Sequence, residues 1–156
     1  MKYEPHDYQK FAVDFIETHP QAAILIGCGL GKTSITLTAL NALMFDRFDV
    51  KKPLIIAPIR VCRNSWAAEI EKWDHLSNLT YSLVLGTSKE RLAALQKKAD
   101  LYIINRENVQ WLIEQSGVAF DFDMVIIDEM SSFKNHQSKR FRALRKVRPF
   151  IKRIVG

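Results

Sequence analysis

The chain reads Ile26-Gly27-Cys28-Gly29-Leu30-Gly31-Lys32-Thr33-Ser34 across a glycine-rich turn. An apolar run, residues 22–26, precedes the turn, and residues 32–45 have the composition of a helix. Glycines let backbone N–H groups approach an anion closely, and the start of a helix adds a positive partial charge. The stretch therefore predicts a phosphate-binding loop between a strand and a helix. In such a loop Lys32 reaches the β- and γ-phosphates, and the Thr33 hydroxyl contacts Mg²⁺.

This loop departs from the strict Walker A pattern at one position. The pattern requires glycine at position 26, where the chain has Ile26. The alternative is a glycine-rich turn with an incidental lysine, but the order of strand, Gly-x-Gly-Lys-Thr and helix favours phosphate binding. The residues predicted to bind nucleotide in this loop are Gly27, Cys28, Gly29, Leu30, Gly31, Lys32, Thr33 and Ser34.

A second motif lies at residues 124–129, where an apolar run ends in two acids, Asp128 and Glu129. A buried strand of this kind delivers both carboxylates to its tip, as in a Walker B element. Asp128 is then expected to hold Mg²⁺ through water, and Glu129 to orient or deprotonate an attacking water. The alternative is a strand that ends in a solvated acidic turn.

Apolar runs alternate with helix-like segments along the whole chain. The runs are continuous rather than alternating with polar residues, which indicates strands buried on both faces. The pattern predicts an α/β fold of three layers, with a mostly parallel central sheet whose ligands bind at the carboxyl ends of the strands. The predicted strands are Ala22–Ile26, Leu54–Ala57, Tyr81–Leu85, Leu101–Ile104, Met124–Ile127 and Ile151–Val155.

Length and composition place the chain among single globular domains. It has 156 residues, of which 47% are apolar, enough for a hydrophobic core. No apolar run approaches the roughly 20 residues that a membrane span needs, so no membrane association is expected. Met1–Lys10 lacks the apolar core of a signal peptide. The two cysteines, Cys28 and Cys62, have no metal-binding or disulfide spacing, which favours a reducing, cytoplasmic location.

Positive charge is concentrated at the C-terminal end. The formal net charge is +6, yet residues 134–156 alone contain nine Lys and Arg and no acid. On a helix predicted over Ser138–Val147, three cations share one face, Lys139, Arg142 and Lys146. They are candidates for contacts to a nucleic-acid backbone, and the alternative is that they pair with acids of a further domain or are solvated.

The motifs together resemble the first RecA-like domain of superfamily-two helicases and translocases. The resemblance covers almost the whole chain and is nearest to the Swi/Snf branch, with a DEAD/DEAH-type, phage- or bacterial-like character. Residues 27–33 resemble motif I, residues 54–58 with 64–73 resemble motif Ia, and residues 128–135 resemble motif II. Ser131 departs from the histidine that many relatives have. Arg153–Gly156 resembles the lead into motif III, so the chain is expected to stop before that motif.

The resemblance implies an ATP hydrolase that uses ATP and Mg²⁺ and moves along DNA. It implies that Gln9, in a sequence similar to the Q motif, reads adenine, and that Arg60 and Arg63 contact the DNA backbone as motif Ia does. The alternatives are a plain surface role for Gln9 and a solvated loop for Arg60 and Arg63. It also implies a second RecA-like domain that supplies a catalytic arginine. The resemblance further implies that residues 1–156 form only the N-terminal ATP-binding domain, so this chain alone is expected to be nearly inactive. A bacterial or phage-infected host cell is the expected setting.

Three other functions remain open at the level of sequence. One is a self-contained P-loop phosphotransferase, although no segment is obvious as its lid or phosphoacceptor site. Another is the motor part of a restriction or nuclease system. The third is a module that binds nucleotide or DNA without turnover, which the presence of Glu129 argues against.

Overall fold

The computed structural model describes residues 2–4, 7–18, 21–22, 32–128 and 139–155. Within them, six strands form one sheet in the order β1-β6-β5-β2-β4-β3, and every neighbouring pair is parallel. The strands are β1 (Gln21–Ala22), β2 (Pro53–Ala57), β3 (Tyr81–Val84), β4 (Leu101–Asn105), β5 (Met124–Ile127) and β6 (Arg153–Val155).

Helices connect the strands, as parallel pairing requires. They are α1 (Asp7–Thr18), α2 (Lys32–Asn41), α3 (Ile59–Val61), α4 (Ala68–Lys72), α5 (Ser88–Gln96) and α6 (Lys139–Val147). Turns of π-helix extend α2 at Ala42–Asp46, join α3 to α4 at Cys62–Ala67, and follow β4 at Trp111–Gln115. Among the described helices, none has the length and apolar character needed to cross a bilayer.

The sheet has a hydrophobic core on each face. Ile55 and Ala57 of β2 belong to one core, which includes apolar residues of α1 and α2. Leu54 and Ile56 of the same strand belong to the other core, together with Leu144 and Val147 of α6 and residues of α5. Successive strand residues point to opposite faces, so a strand buried throughout serves both cores. The predicted three-layer α/β architecture with a parallel sheet is therefore confirmed.

The six predicted strands are all present, with small differences at their ends. Only Gln21–Ala22 of the first strand is described, because residues 23–31 lie outside the described part of the chain. The last strand begins at Arg153 rather than at Ile151, because Arg148–Phe150 forms a short 3-10 helix just before it. The helical segment that follows β2 runs from Ile59 to Lys72 and is irregular, since it contains the π-helical turn at Cys62–Ala67.

One carboxylate ties together the starts of neighbouring strands, at the sheet edge opposite the carboxyl ends. The two oxygens of Asp123 accept hydrogen bonds from the backbone N–H groups of Lys51, at 2.7 Å, and Lys52, at 2.9 Å. The backbone carbonyl of Asp123 also accepts from the N–H of Lys152, at 2.8 Å. Asp123 therefore links β2, β5 and β6.

We predict that Asp123→Ala lowers the free energy of unfolding by about 1–3 kcal/mol, because two backbone donors lose their acceptor. Asp121→Ala is the matched control, since Asp121 pairs with the Lys52 ammonium at 2.6 Å but its side chain is 58% exposed. An exposed pair of this kind contributes only about 0–1 kcal/mol. Urea unfolding followed by circular dichroism compares the two variants. An equal or larger loss of unfolding free energy in Asp121→Ala would contradict the role of Asp123 as the link between the strands.

Candidate nucleotide and nucleic-acid site

The carboxyl ends of the strands bring together two residues that lie 96 positions apart in the chain. Lys32 begins α2, and Asp128 directly follows β5. The Lys32 ammonium lies 3.8 Å from Asp128 Oδ1, and the two side chains are 20% and 16% exposed. The sequence predicted that these two side chains lie close together, because both motifs follow strands predicted to end at the same edge of the sheet.

Two further hydrogen bonds fix Asp128. Its backbone N–H donates to the carbonyl of Ile56 in β2 at 2.8 Å. Its second carboxylate oxygen, Oδ2, accepts from the indole Nε1 of Trp66 at 3.0 Å. The Trp66 side chain is fully buried in the hydrophobic core. The spacing along the helix gave no sign of its hydrogen bond to Asp128.

The first turn of α2 contains the other described residues of the predicted phosphate loop. Thr33 is partly exposed, whereas Ser34 is buried at 4% exposure. The Thr36 hydroxyl donates to the Lys32 carbonyl at 2.9 Å, which supports this turn. Gln9 lies on α1, which packs against α2, and it is 7% exposed.

Several predicted site residues lie outside the described part of the chain. They are the loop residues Gly27, Cys28, Gly29, Leu30 and Gly31, and the predicted catalytic acid Glu129. Their roles stay predictions from the sequence.

A groove of about 350 Å³ lies beside β2 and β4 at the same edge of the sheet. Its lining includes two cations, Arg60 and Arg106, together with Pro58, Val61, Asn64 and Ser65. Arg63 is exposed but is not among the lining residues. Arg106, whose guanidinium pairs with the exposed Glu107 at 3.2 Å, was not anticipated as a site residue, although its position immediately after β4 is the signal that points to it.

The basic face of α6 is partly engaged with the rest of the domain. The Lys146 ammonium forms an ion pair with Glu114, and this hydrogen bond, with a further one from Gln110, lowers the pKa of the Glu114 carboxyl. Arg142 is exposed, and the Lys139 side chain lies outside the described part. Lys146 is thus less available to a nucleic-acid phosphate than its sequence position suggested.

Cys62 is the buried first residue of the π-helical turn whose Asn64 and Ser65 line the groove. Burial raises the pKa of its thiol to about 12, with smaller contributions from Glu107 and Asp128. The protonated sulfur lies 3.6 Å from the Ala57 carbonyl. A thiol this far from ionisation is a packing residue rather than a nucleophile.

The chemistry of the site fits a magnesium nucleotide. Mg²⁺ prefers oxygen ligands and is bound by one or two protein groups together with substrate phosphates. Asp128 offers a carboxylate whose Oδ1 faces the Lys32 ammonium, while Oδ2 is already held by Trp66. Thr33 adds a partly exposed hydroxyl on the first turn of α2.

The model of the SNF2-related domain matches residues 8–155, which is nearly the whole chain. This chain belongs to the SNF2-related domain family. A relative from Acyrthosiphon pisum secondary endosymbiont phage 1, "Putative protein p41", is 33% identical over 150 residues, which cover 93% of this chain and 33% of p41. The chain therefore spans about a third of that relative's length.

Solved structures agree with this SNF2-related fold. The SWI2/SNF2 ATPase core of Sulfolobus solfataricus in complex with dsDNA superposes with a TM-score of 0.75 at 20% identity, over 99% of this chain and 32% of that one. The UvsW helicase of bacteriophage T4 superposes with a TM-score of 0.71 at 17% identity, over 99% of this chain and 52% of UvsW. At these identities the likeness shows the fold.

Proposed function

We propose that this chain is the N-terminal ATP-binding domain of a DNA-dependent ATPase that couples ATP hydrolysis to movement along DNA. The observation that supports it most is the 3.8 Å approach of the Lys32 ammonium to Asp128 at the carboxyl edge of the sheet. Membership of the SNF2-related domain family supports the same proposed function.

In this proposal each residue of the site has one task. Lys32 binds the β- and γ-phosphates, and Gln9 selects adenine. Thr33 and Asp128 would hold Mg²⁺, which when bound would neutralise negative charge on the phosphates. Glu129 orients the attacking water, and its carboxylate accepts the proton that this water loses.

The proposal includes a second RecA-like domain, which completes the site with an arginine. Phage protein p41 is about three times as long as the part that this chain matches, which leaves room for such a domain. DNA is the proposed partner, because the Arg60 and Arg106 side chains line a groove beside the phosphate site.

We predict that the double variant Arg60→Gln/Arg106→Gln flattens the dependence of log Kd on log salt concentration by about two units. Each neutralised phosphate contributes roughly 0.9 to that slope. Anisotropy of a fluorescent DNA duplex, titrated at several salt concentrations, measures the slope. The affinity for nucleotide is expected to stay unchanged. The groove arginines are proposed to contact DNA phosphates, whereas Lys32 is proposed to bind the nucleotide phosphates.

Two comparison variants make this test specific. Lys97→Gln/Lys98→Gln removes the same charge from two exposed lysines just before β4, at the opposite sheet edge, and is expected to leave the slope unchanged. Replacing Lys139, Arg142 and Lys146 by Gln tests α6. A flattened slope in the α6 variant, with no change in the groove variant, would place the DNA on α6 and contradict the groove.

A further inference from the structure

The indole of Trp66 and the carboxylate of Asp128 form a partly buried contact that no motif describes. Trp66 Nε1 lies 3.0 Å from Asp128 Oδ2, and the tryptophan side chain is fully buried. An indole N–H only donates, so the carboxylate oxygen that it contacts is the acceptor. A hydrogen bond to an ionised carboxylate is stronger than one between neutral groups.

This contact makes the two oxygens of Asp128 different from each other. Oδ2 is held by the indole, while Oδ1 faces the Lys32 ammonium at 3.8 Å. With the backbone N–H of Asp128 anchored on Ile56 at 2.8 Å, the carboxylate has little freedom to rotate. The oxygen that faces the phosphate side is therefore fixed before any ligand binds.

The position of Trp66 in the fold makes it a rigid support. It lies in the π-helical turn Cys62–Ala67, where Cys62 and Ala67 are also buried. Asn64 and Ser65 of the same turn line the groove beside β2. One short turn thus carries both the groove lining and the donor that holds Asp128.

We infer that Trp66 is a positioning residue, which orients the Asp128 carboxylate so that Oδ1 is presented to the magnesium of a bound nucleotide. This inference rests on the proposed function. Hydrogen-bond partners that orient a metal ligand typically change metal affinity by about 10- to 100-fold when they are removed.

The test compares magnesium titrations of Trp66→Phe and the unaltered chain at a fixed concentration of a fluorescent ADP analogue. We expect the half-saturating Mg²⁺ concentration to rise about 10- to 100-fold in Trp66→Phe. The affinity for the same analogue in EDTA is expected to stay unchanged, because Trp66 does not contact the nucleotide. A purely structural role would lower the melting temperature without moving the magnesium dependence.

Trp73→Phe is the matched control, since the Trp73 indole, just after α4, also donates to a carboxylate, that of Glu69 in α4. It is expected to leave the half-saturating Mg²⁺ concentration unchanged. Equal magnesium curves for Trp66→Phe and the unaltered chain would overturn the inference. Failure of the unaltered chain to bind the analogue at any Mg²⁺ concentration would instead overturn the proposed function, and this inference with it.

A second substitution covers the case in which Trp66→Phe does not fold. Benzothienylalanine at position 66 keeps the bicyclic shape of tryptophan and replaces the N–H by sulfur. It therefore removes the donor while the packing stays filled. The same rise in half-saturating Mg²⁺ is expected, and an unchanged value would again overturn the inference.

Discussion

Joined to a second RecA-like domain that supplies an arginine, this chain is expected to hydrolyse ATP about 10³–10⁵ times faster than it does alone. The cation that the structure places at the site is Lys32, which is needed for binding as well as for turnover. In the proposed mechanism, the arginine of the second domain stabilises the charge that develops on the transferred phosphoryl group. The chain alone is therefore expected to hydrolyse ATP at close to the background rate, with or without DNA.

Steady-state phosphate release measures this difference, with the chain alone compared with a longer protein that includes the second domain. In the longer protein, replacing the arginine is expected to return the rate to that of the chain alone. Glu129→Gln there is expected to bind ATP but hardly hydrolyse it. Robust multiple turnover by the 156-residue chain itself would contradict the need for a second domain.

Replacing the lysine at the start of α2 is expected to have the second largest effect. Lys32→Ala removes the ammonium that lies 3.8 Å from Asp128 Oδ1, where the phosphates are proposed to bind. A hydrogen bond to a charged group contributes about 1.5–3 kcal/mol, so Mg-ADP affinity is expected to fall about 10- to 150-fold. Isothermal titration calorimetry measures the dissociation constant directly.

Lys98→Ala is the control for this substitution, because Lys98 is an exposed lysine just before β4, at the opposite edge of the sheet. It loses the same charge and is expected to bind Mg-ADP as the unaltered chain does. Titration curves for Lys32→Ala that superpose on those of the unaltered chain would exclude this lysine as a phosphate ligand.

The fold was predictable because its strands are continuous apolar runs. Leu54 to Ala57 is an unbroken apolar run, which predicted a strand covered on both faces. In the structure every residue of this strand is buried. The capping box of α5, in which Thr87 and Glu90 each accept from the other's backbone N–H, also follows a recognisable sequence pattern. The π-helical turns were not predicted, because local sequence alone did not distinguish them from α-helix.

Site residues could be proposed from the sequence only where a motif defines them. Lys32, Thr33 and Asp128 follow from the two motifs and from the rule that parallel strands present ligands at their carboxyl ends. Trp66 and Arg106 were not identified as site residues, because their roles depend on tertiary neighbours. Trp66 lies 62 residues from Asp128 in the chain, and nothing in the spacing of apolar residues distinguishes a core indole that donates a hydrogen bond from one that does not.

The most direct measurement of the central claim is the anomalous signal of Mn²⁺ in crystals of this chain grown with Mn-ADP. Mn²⁺ takes the same oxygen ligands as Mg²⁺. We predict one strong peak between Asp128 Oδ1 and the Thr33 hydroxyl, with the ADP phosphates at the start of α2 beside the Lys32 ammonium. Manganese beside Asp121 and Asp123 at the opposite sheet edge, or phosphates in the Arg60–Arg106 groove, would contradict it.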